Sequence, residues 1–203
     1  MIGIVDYNMG NLASVINAFS KVGVKATLES DPDKLSNYDK LILPGVGAFG
    51  DAMEHLQSNG MDDAVIAYAK SNKPLLGICL GMQLLFESSE EFGQTKGLGL
   101  IPGKVVAFNE NKFDHSLKVP HMGWNELFVQ KKTVLFDDLK KDFYLYFVHS
   151  YHAVCDEKYA IGTTHYGYEF VSAVQNDNIY GIQPHPEKSH ANGLKIIENF
   201  AKL

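Results

Sequence analysis

The chain has 203 residues, 45% of them apolar and 21% charged, which suits one domain with a sizeable core and excludes a disordered or fibrous chain. Its formal net charge of -6 leaves no basic footprint for nucleic acid or an anionic membrane surface. All 18 basic residues are lysines, so the planar fork that clamps phosphate bidentately is absent, and no apolar run approaches the roughly 18 residues of a membrane span.

In chain order, Ile2-Val5 reads as a strand, Asn11 as the cap of a helix reaching about Lys21, and Lys40-Leu43 as a strand stopped by Pro44-Gly45. Helical patterns over Asp51-Asn59 and Asp62-Lys70 lead to a buried strand at Pro74-Ile78 and a helix over Leu80-Ser88. This alternation predicts an α/β fold with a largely parallel sheet covered on both faces. The second half is richer in strand signals, at Gly103-Asn109, Asn125-Gln130, Tyr144-Val148, His152-Cys155, Val171-Gln175 and Ile179-Gln183, and closes with a helix over Leu194-Ala201. Glu87-Leu98 and Glu110-Lys118 read as exposed loops, and no repeat or linker divides the 1-203 span into two domains.

Two cysteines stand far apart, with no metal-type spacing, and the chain opens on a strand pattern rather than a targeting segment, so a cytoplasmic protein with free thiols is expected. Cys79 lies in Gly77-Ile78-Cys79-Leu80-Gly81, between a predicted strand and a predicted helix, where a nucleophile can be lifted onto a sharp turn. The N-H groups at a helix start favour the reactive thiolate. The pentapeptide alone fits an inert core thiol equally well, and Cys155 has only that packing role. Gln83, one helical turn on, projects to the same side as Cys79, where an amide could meet an amide substrate.

Pro44-Gly45-Val46-Gly47 after a strand can turn backbone N-H groups of Val46 or Gly47 toward a ligand, and with the N-H of Leu80 this makes a candidate oxyanion hole. In Gln183-Pro184-His185-Pro186-Glu187 each proline pushes the preceding residue into the extended region. An extended His185 would place Glu187 on its own side, where a carboxylate fixes the imidazole tautomer and leaves the other nitrogen free for proton exchange. This is triad logic in the order Cys, His, Glu. Other histidines, such as His55 and His165, have the ordinary reading of surface or satisfied core residues.

Taken together, Pro44-Gly45-Val46-Gly47, Gly77-Ile78-Cys79-Leu80-Gly81-Met82-Gln83 and His185-Pro186-Glu187 resemble the class I, triad-type glutamine amidotransferases. Within that class, Ile4-Val5-Asp6-Tyr7-Asn8-Met9-Gly10-Asn11, Pro120-His121-Met122-Gly123-Trp124-Asn125, Tyr146-Phe147-Val148-His149-Ser150-Tyr151 and Pro186-Glu187-Lys188-Ser189 resemble the glutaminase subunits of imidazole glycerol phosphate synthases. The resemblance implies a flavodoxin-like glutaminase fold, no cofactor or metal, glutamine as substrate, and a (β/α)8-barrel cyclase as partner in histidine biosynthesis. It assigns Cys79, His185 and Glu187 to the triad, Val46 and Leu80 to the oxyanion hole, and Gln83, Glu91, Ser150 and Tyr151 to the glutamine. Asn11, Trp124, Tyr146 and Lys188 fall on the face toward the cyclase. A paralogue feeding ammonia to a surface-sugar synthase, or a non-catalytic relative, would share most of these residues. One departure is Pro184, where the family usually has an aromatic residue; it removes a backbone donor.

Overall fold

The computed structural model describes all 203 residues. In chain order the first half runs β1 (Ile2–Val5), α1 (Leu12–Lys21), β2 (Ala26–Glu29), β3 (Lys40–Leu43), α2 (Phe49–Gln57), α3 (Met61–Lys70), β4 (Leu75–Ile78) and α4 (Leu80–Leu84). The second half adds β5 (Phe86–Ser89), β6 (Thr95–Lys96), β7 (Ile101–Ala107), β8 (His121–Val129), β9 (Asp142–His149), β10 (Tyr151–Val154), β11 (Ala160–His165), β12 (Glu169–Asn176), β13 (Ile179–Ile182) and α5 (His190–Lys202). All the strands join one 13-stranded sheet.

Five neighbours, in the spatial order β2-β1-β3-β4-β13, are parallel, and strand alternation sorts their side chains onto two faces. Ile4, Ile42, Leu76 and Ile78 pack with Val15 and Phe19 of α1 and Ile196 and Phe200 of α5. On the other face Val5, Leu41, Leu43 and Leu75 pack with Phe49, Met53 and Leu56 of α2 and Val65 of α3. The helices belong on these faces because their apolar residues recur at helical spacing, as with the buried Val15, Ala18 and Phe19. Beyond β13 the sheet continues antiparallel through β12, β10 and β7, while the long β8-β9 pair joins it through β11.

The parallel α/β layout follows the strand-helix alternation, but several local expectations need correction. The helix expected over Leu80-Ser88 ends at Leu84, because Phe86–Ser89 pairs with β7 as a strand and two adjacent serines contribute little helix preference. Glu87-Leu98 is therefore not simply an exposed loop: β5 and β6 occupy part of it, and Ser89 and Leu98 are buried. The strands β2 and β11 were not legible; β11 is interrupted at Gly162, where a Cβ would press on Leu127 at 2.8 Å. Strands β8 and β9 start four and two residues ahead of the expected positions because they pair with each other from His121 opposite His149 to Phe128 opposite Asp142. Helix α5 begins at His190 rather than Leu194.

The first turn of α4 presses against the end of β3, since a Cβ on Gly81 would collide with the Leu43 carbonyl oxygen. A Gly81→Ala substitution is expected to cost about 1–3 kcal/mol through this overpacking. Urea unfolding measures it, and an unchanged midpoint would contradict the close packing.

Candidate active site

The order β3-β4-β13 places the carboxyl ends of three parallel strands side by side, and a crevice outside such ends is where open α/β sheets present ligand-binding groups. From β3 come Pro44 to Gly47, from β4 comes Cys79, and from β13 come Gln183 and His185. Residues separated by more than a hundred positions thus meet because their strands are neighbours.

Cys79 joins β4 to α4 with φ 54 and ψ -112, a backbone conformation that L-residues rarely adopt. The turn raises its buried thiol toward a cavity of about 310 Å³. Two polar groups stand within reach of Sγ: the Val148 carbonyl oxygen at 3.9 Å and Gln183 Nε2 at 3.7 Å.

His185 is extended as the proline after it, Pro186, favours, with φ -98 and ψ 95, and its backbone N-H donates to the Tyr146 carbonyl at 2.8 Å. The Pro186–Lys188 turn, a short 3-10 segment, brings Glu187 back so that Oε1 lies 2.7 Å from His185 Nδ1, with both side chains buried. The expected pairing is thus present, although a turn rather than two extended residues creates it. An ionised carboxylate only accepts, so Nδ1 carries the proton in this bond. His185 Nε2 has no hydrogen-bond partner of its own and lines the cavity with Cys79. Burial of the ring opposes its charging, but Cys79 and then Glu187 outweigh this and hold His185 above the ordinary imidazole range. The arrangement can store a proton at Nε2 beside a sulfur nucleophile.

Val46, Gly47 and Leu80 line the same cavity, and their backbone N-H groups donate to nothing else in the chain. Uncommitted donors around a nucleophile are what a developing oxyanion needs. The loop's position is fixed from below by Tyr7, whose hydroxyl donates to the Pro44 carbonyl at 2.8 Å and would meet a Cβ on Gly45 at 2.7 Å. Burial, then the neighbouring Cys79, pushes the Tyr7 hydroxyl well above its usual range, so it stays a donor.

Gln83, Glu91, Ser150 and Tyr151 also line the cavity. Glu91 Oε2 accepts from the Phe49 N-H at 2.7 Å, at the start of α2, and burial, reinforced by Asp51 and opposed by that hydrogen bond, raises its pKa. Trp124 is half exposed, stacks on His190 at 5.1 Å, and meets Tyr146 edge-on at 6.0 Å across the β8-β9 pair. Lys188 is exposed two residues before His190. Asn11 is also exposed, and α1 behind it packs against the Pro186–Lys188 turn. Pro184 is buried, and the strand-end bonding passes to the N-H groups of Gln183 and His185 on either side. No cluster of three or more His, Cys, Asp or Glu side chains is placed to hold a metal ion.

Sequence reasoning missed Tyr7 and Gln183, whereas three of the histidines given an ordinary reading are satisfied core residues. His121 Nδ1 lies 2.9 Å from His149 Nε2, His149 Nδ1 lies 2.8 Å from the Tyr151 carbonyl, and His152 Nε2 lies 2.8 Å from the Tyr168 hydroxyl. A polar residue on a wholly buried strand was the available signal for Gln183, since a buried amide requires partners.

A family model for class-I glutamine amidotransferases matches residues 3–203. The imidazole glycerol phosphate synthase subunit HisH of Sulfurimonas denitrificans is 70% identical, covering 100% of this chain and 98% of the relative. The protein of that name from Wolinella succinogenes is 57% identical, covering 100% of both. A solved structure described as PurLQS from Thermotoga maritima has a TM-score of 0.78 at 21% identity, over 99% of this chain and 97% of the other, a likeness of fold.

Burial pushes His121 down to about 4, His149 well below the ordinary imidazole range and His152 below it. The unfolded chain, with ordinary imidazoles, therefore takes up protons below pH about 6.5 that the folded chain refuses, so stability falls as pH falls from there toward 4. Between pH 7 and 5 urea unfolding should lose roughly 2 kcal/mol through His121, with His149 and His152 acting in the same direction. A flat profile across that interval would mean the rings charge without cost.

Proposed function

The chain belongs to the class-I glutamine amidotransferase family, and from that premise we propose that it is the glutaminase subunit of an imidazole glycerol phosphate synthase, hydrolysing glutamine and passing ammonia to a cyclase partner. The observation that carries the reading is the shared cavity of Cys79 and His185, with the imidazole locked through Nδ1 by Glu187 and its Nε2 left free.

In the proposed reaction the Cys79 thiolate attacks the side-chain carbonyl carbon of glutamine, and the carbonyl electron pair moves onto oxygen. The N-H groups of Leu80 and of Val46 or Gly47 receive that oxyanion, each contributing about 3 kcal/mol to the transition state. As the C-N bond breaks, His185 Nε2-H passes its proton to the leaving nitrogen, and ammonia departs from a glutamyl thioester. His185 then takes a proton from water, whose oxygen attacks the thioester. The C-S bond breaks, the sulfur leaves as thiolate beside the imidazolium, and glutamate is released. Glu187 holds the imidazole tautomer throughout. Glu91 and the Ser150-Tyr151 backbone are suited to hold the amino-acid end of glutamine, and the oxygen of Gln83 to accept from it.

The chain acts as one domain in the cytoplasm, with no cofactor. The surface formed by Trp124, Tyr146, Lys188 and Asn11 is proposed to meet a (β/α)8-barrel cyclase, so that ammonia passes without entering bulk water, in histidine biosynthesis. An exposed aromatic stacked on its neighbours is a suitable interface anchor.

The test is glutamine hydrolysis by the chain with and without the cyclase and its acceptor ligand. Hydrolysis is expected to rise in the complex, and His185→Ala to lower kcat by about a thousandfold. Cys79→Ala should abolish turnover. Equal rates with and without the partner would sink the coupling, and turnover by Cys79→Ala would sink the mechanism.

A further inference from the structure

We propose that Gln183 is a positioning residue that donates a hydrogen bond to the Cys79 sulfur, its orientation dictated through Gln83 by the Tyr151 carbonyl and buttressed by a His149-His121-Asn125 chain. The catalytic part of this inference rests on the function proposed above.

A backbone carbonyl only accepts, so the Gln83 atom 3.0 Å from the Tyr151 oxygen must be its amide nitrogen. That same nitrogen lies 3.0 Å from the Gln183 side chain, which must therefore present its oxygen. Once the Gln183 oxygen is committed to Gln83, its NH2 is the end that stands 3.7 Å from Cys79 Sγ. Sulfur is thus the acceptor, and hydrogen bonding to the charged form favours the thiolate. The thiol has the Val148 carbonyl 3.9 Å away as an acceptor, but that oxygen repels a thiolate, so of these two contacts the Gln183 N-H is the one that survives ionisation, alongside the His185 ring in the same cavity.

The other side of the same carbonyl is equally determined. His149 Nδ1 must donate to Tyr151 O, and a neutral His149 then accepts at Nε2 from His121 Nδ1-H. His121 in turn accepts at Nε2 from the Asn125 amide, 3.1 Å away, whose nitrogen also reaches the His165 carbonyl at 2.9 Å. Every donor along this chain points toward Tyr151, so none of its amides or rings can flip alone without leaving a buried group unpaired. Asn125 follows Trp124 on β8, so the relay runs from beside the proposed partner face to the nucleophile. Both hydrogens on the Gln83 nitrogen are used, leaving its oxygen without a donor in the chain and available to the bound amide substrate.

The experiment has two arms on the full chain. In the unmodified protein with 15N-labelled glutamine side chains, carbamidomethylation of Cys79 by iodoacetamide should shift the Gln183 amide signal and leave that of exposed Gln94 in place. In the Gln183→Met variant, alkylation of Cys79 should slow about tenfold, the size of one lost charge-assisted hydrogen bond. With the cyclase bound, kcat should fall by a similar factor while KM stays within about twofold. A Gln183 signal unmoved by alkylation overturns the proposal, as does a folded Gln183→Met protein alkylated at the wild-type rate. If that variant does not fold, the spectrum of the unmodified protein decides. Neither alkylation nor the spectrum requires glutamine turnover, so a wild-type chain that fails to hydrolyse glutamine defeats the proposed function without touching this result.

Discussion

The positive-φ backbone of Cys79 is the constraint from which the site is built. It is held in place because β4 is flanked on both sides by parallel strands, and because the turn following it is glycine-packed against the end of β3. The cost of such a conformation, of order 1–3 kcal/mol, is tolerated only where the surroundings over-determine it. Here those surroundings are two hydrophobic layers in which the residues of β4 are almost wholly buried. Relaxing the turn would move the sulfur away from the cavity and separate it from donors supplied by β3 and β13.

Burial alone does not decide the charge of a histidine in this fold. His149 and His185 are both nearly inaccessible, yet their protonation moves in opposite directions. His149 is surrounded by other rings and a carbonyl, and desolvation keeps it neutral. His185 has a carboxylate on one nitrogen and a sulfur nucleophile near the other, and those partners outweigh desolvation. The neutral rings supply fixed hydrogen-bond directions, whereas the charged one supplies a movable proton.

The sheet and most of its helices were legible because alternation of apolar residues at strand and helix spacing reflects what each element buries. The strands of the second half were legible only as fragments, since β8 and β9 pair with each other along their length and carry exposed Met122, Trp124 and Tyr144 on one side. At the site, Cys79 stood out through its turn and His185 through its prolines, features that act on the local chain. Gln183, Tyr7 and His149 were hidden because their roles arise from contacts across strands that sequence spacing does not encode. The approach of His185 to Cys79 belongs to the same class: it depends on β13 lying beside β4, which follows from topology rather than from any local pattern.

The two cysteines allow the central claim to be tested within one molecule. Burial, reinforced by Asp156, pushes the Cys155 thiol up to about 11, and it lies outside the cavity that holds Cys79 and His185. Treatment of the native chain, with the cyclase bound, by a diazoketone analogue of glutamine followed by peptide mapping reads out which sulfur is the nucleophile. The account predicts a single adduct on Cys79, lost when His185 is replaced by alanine. Modification of Cys155 instead, or equal labelling of both, would contradict it.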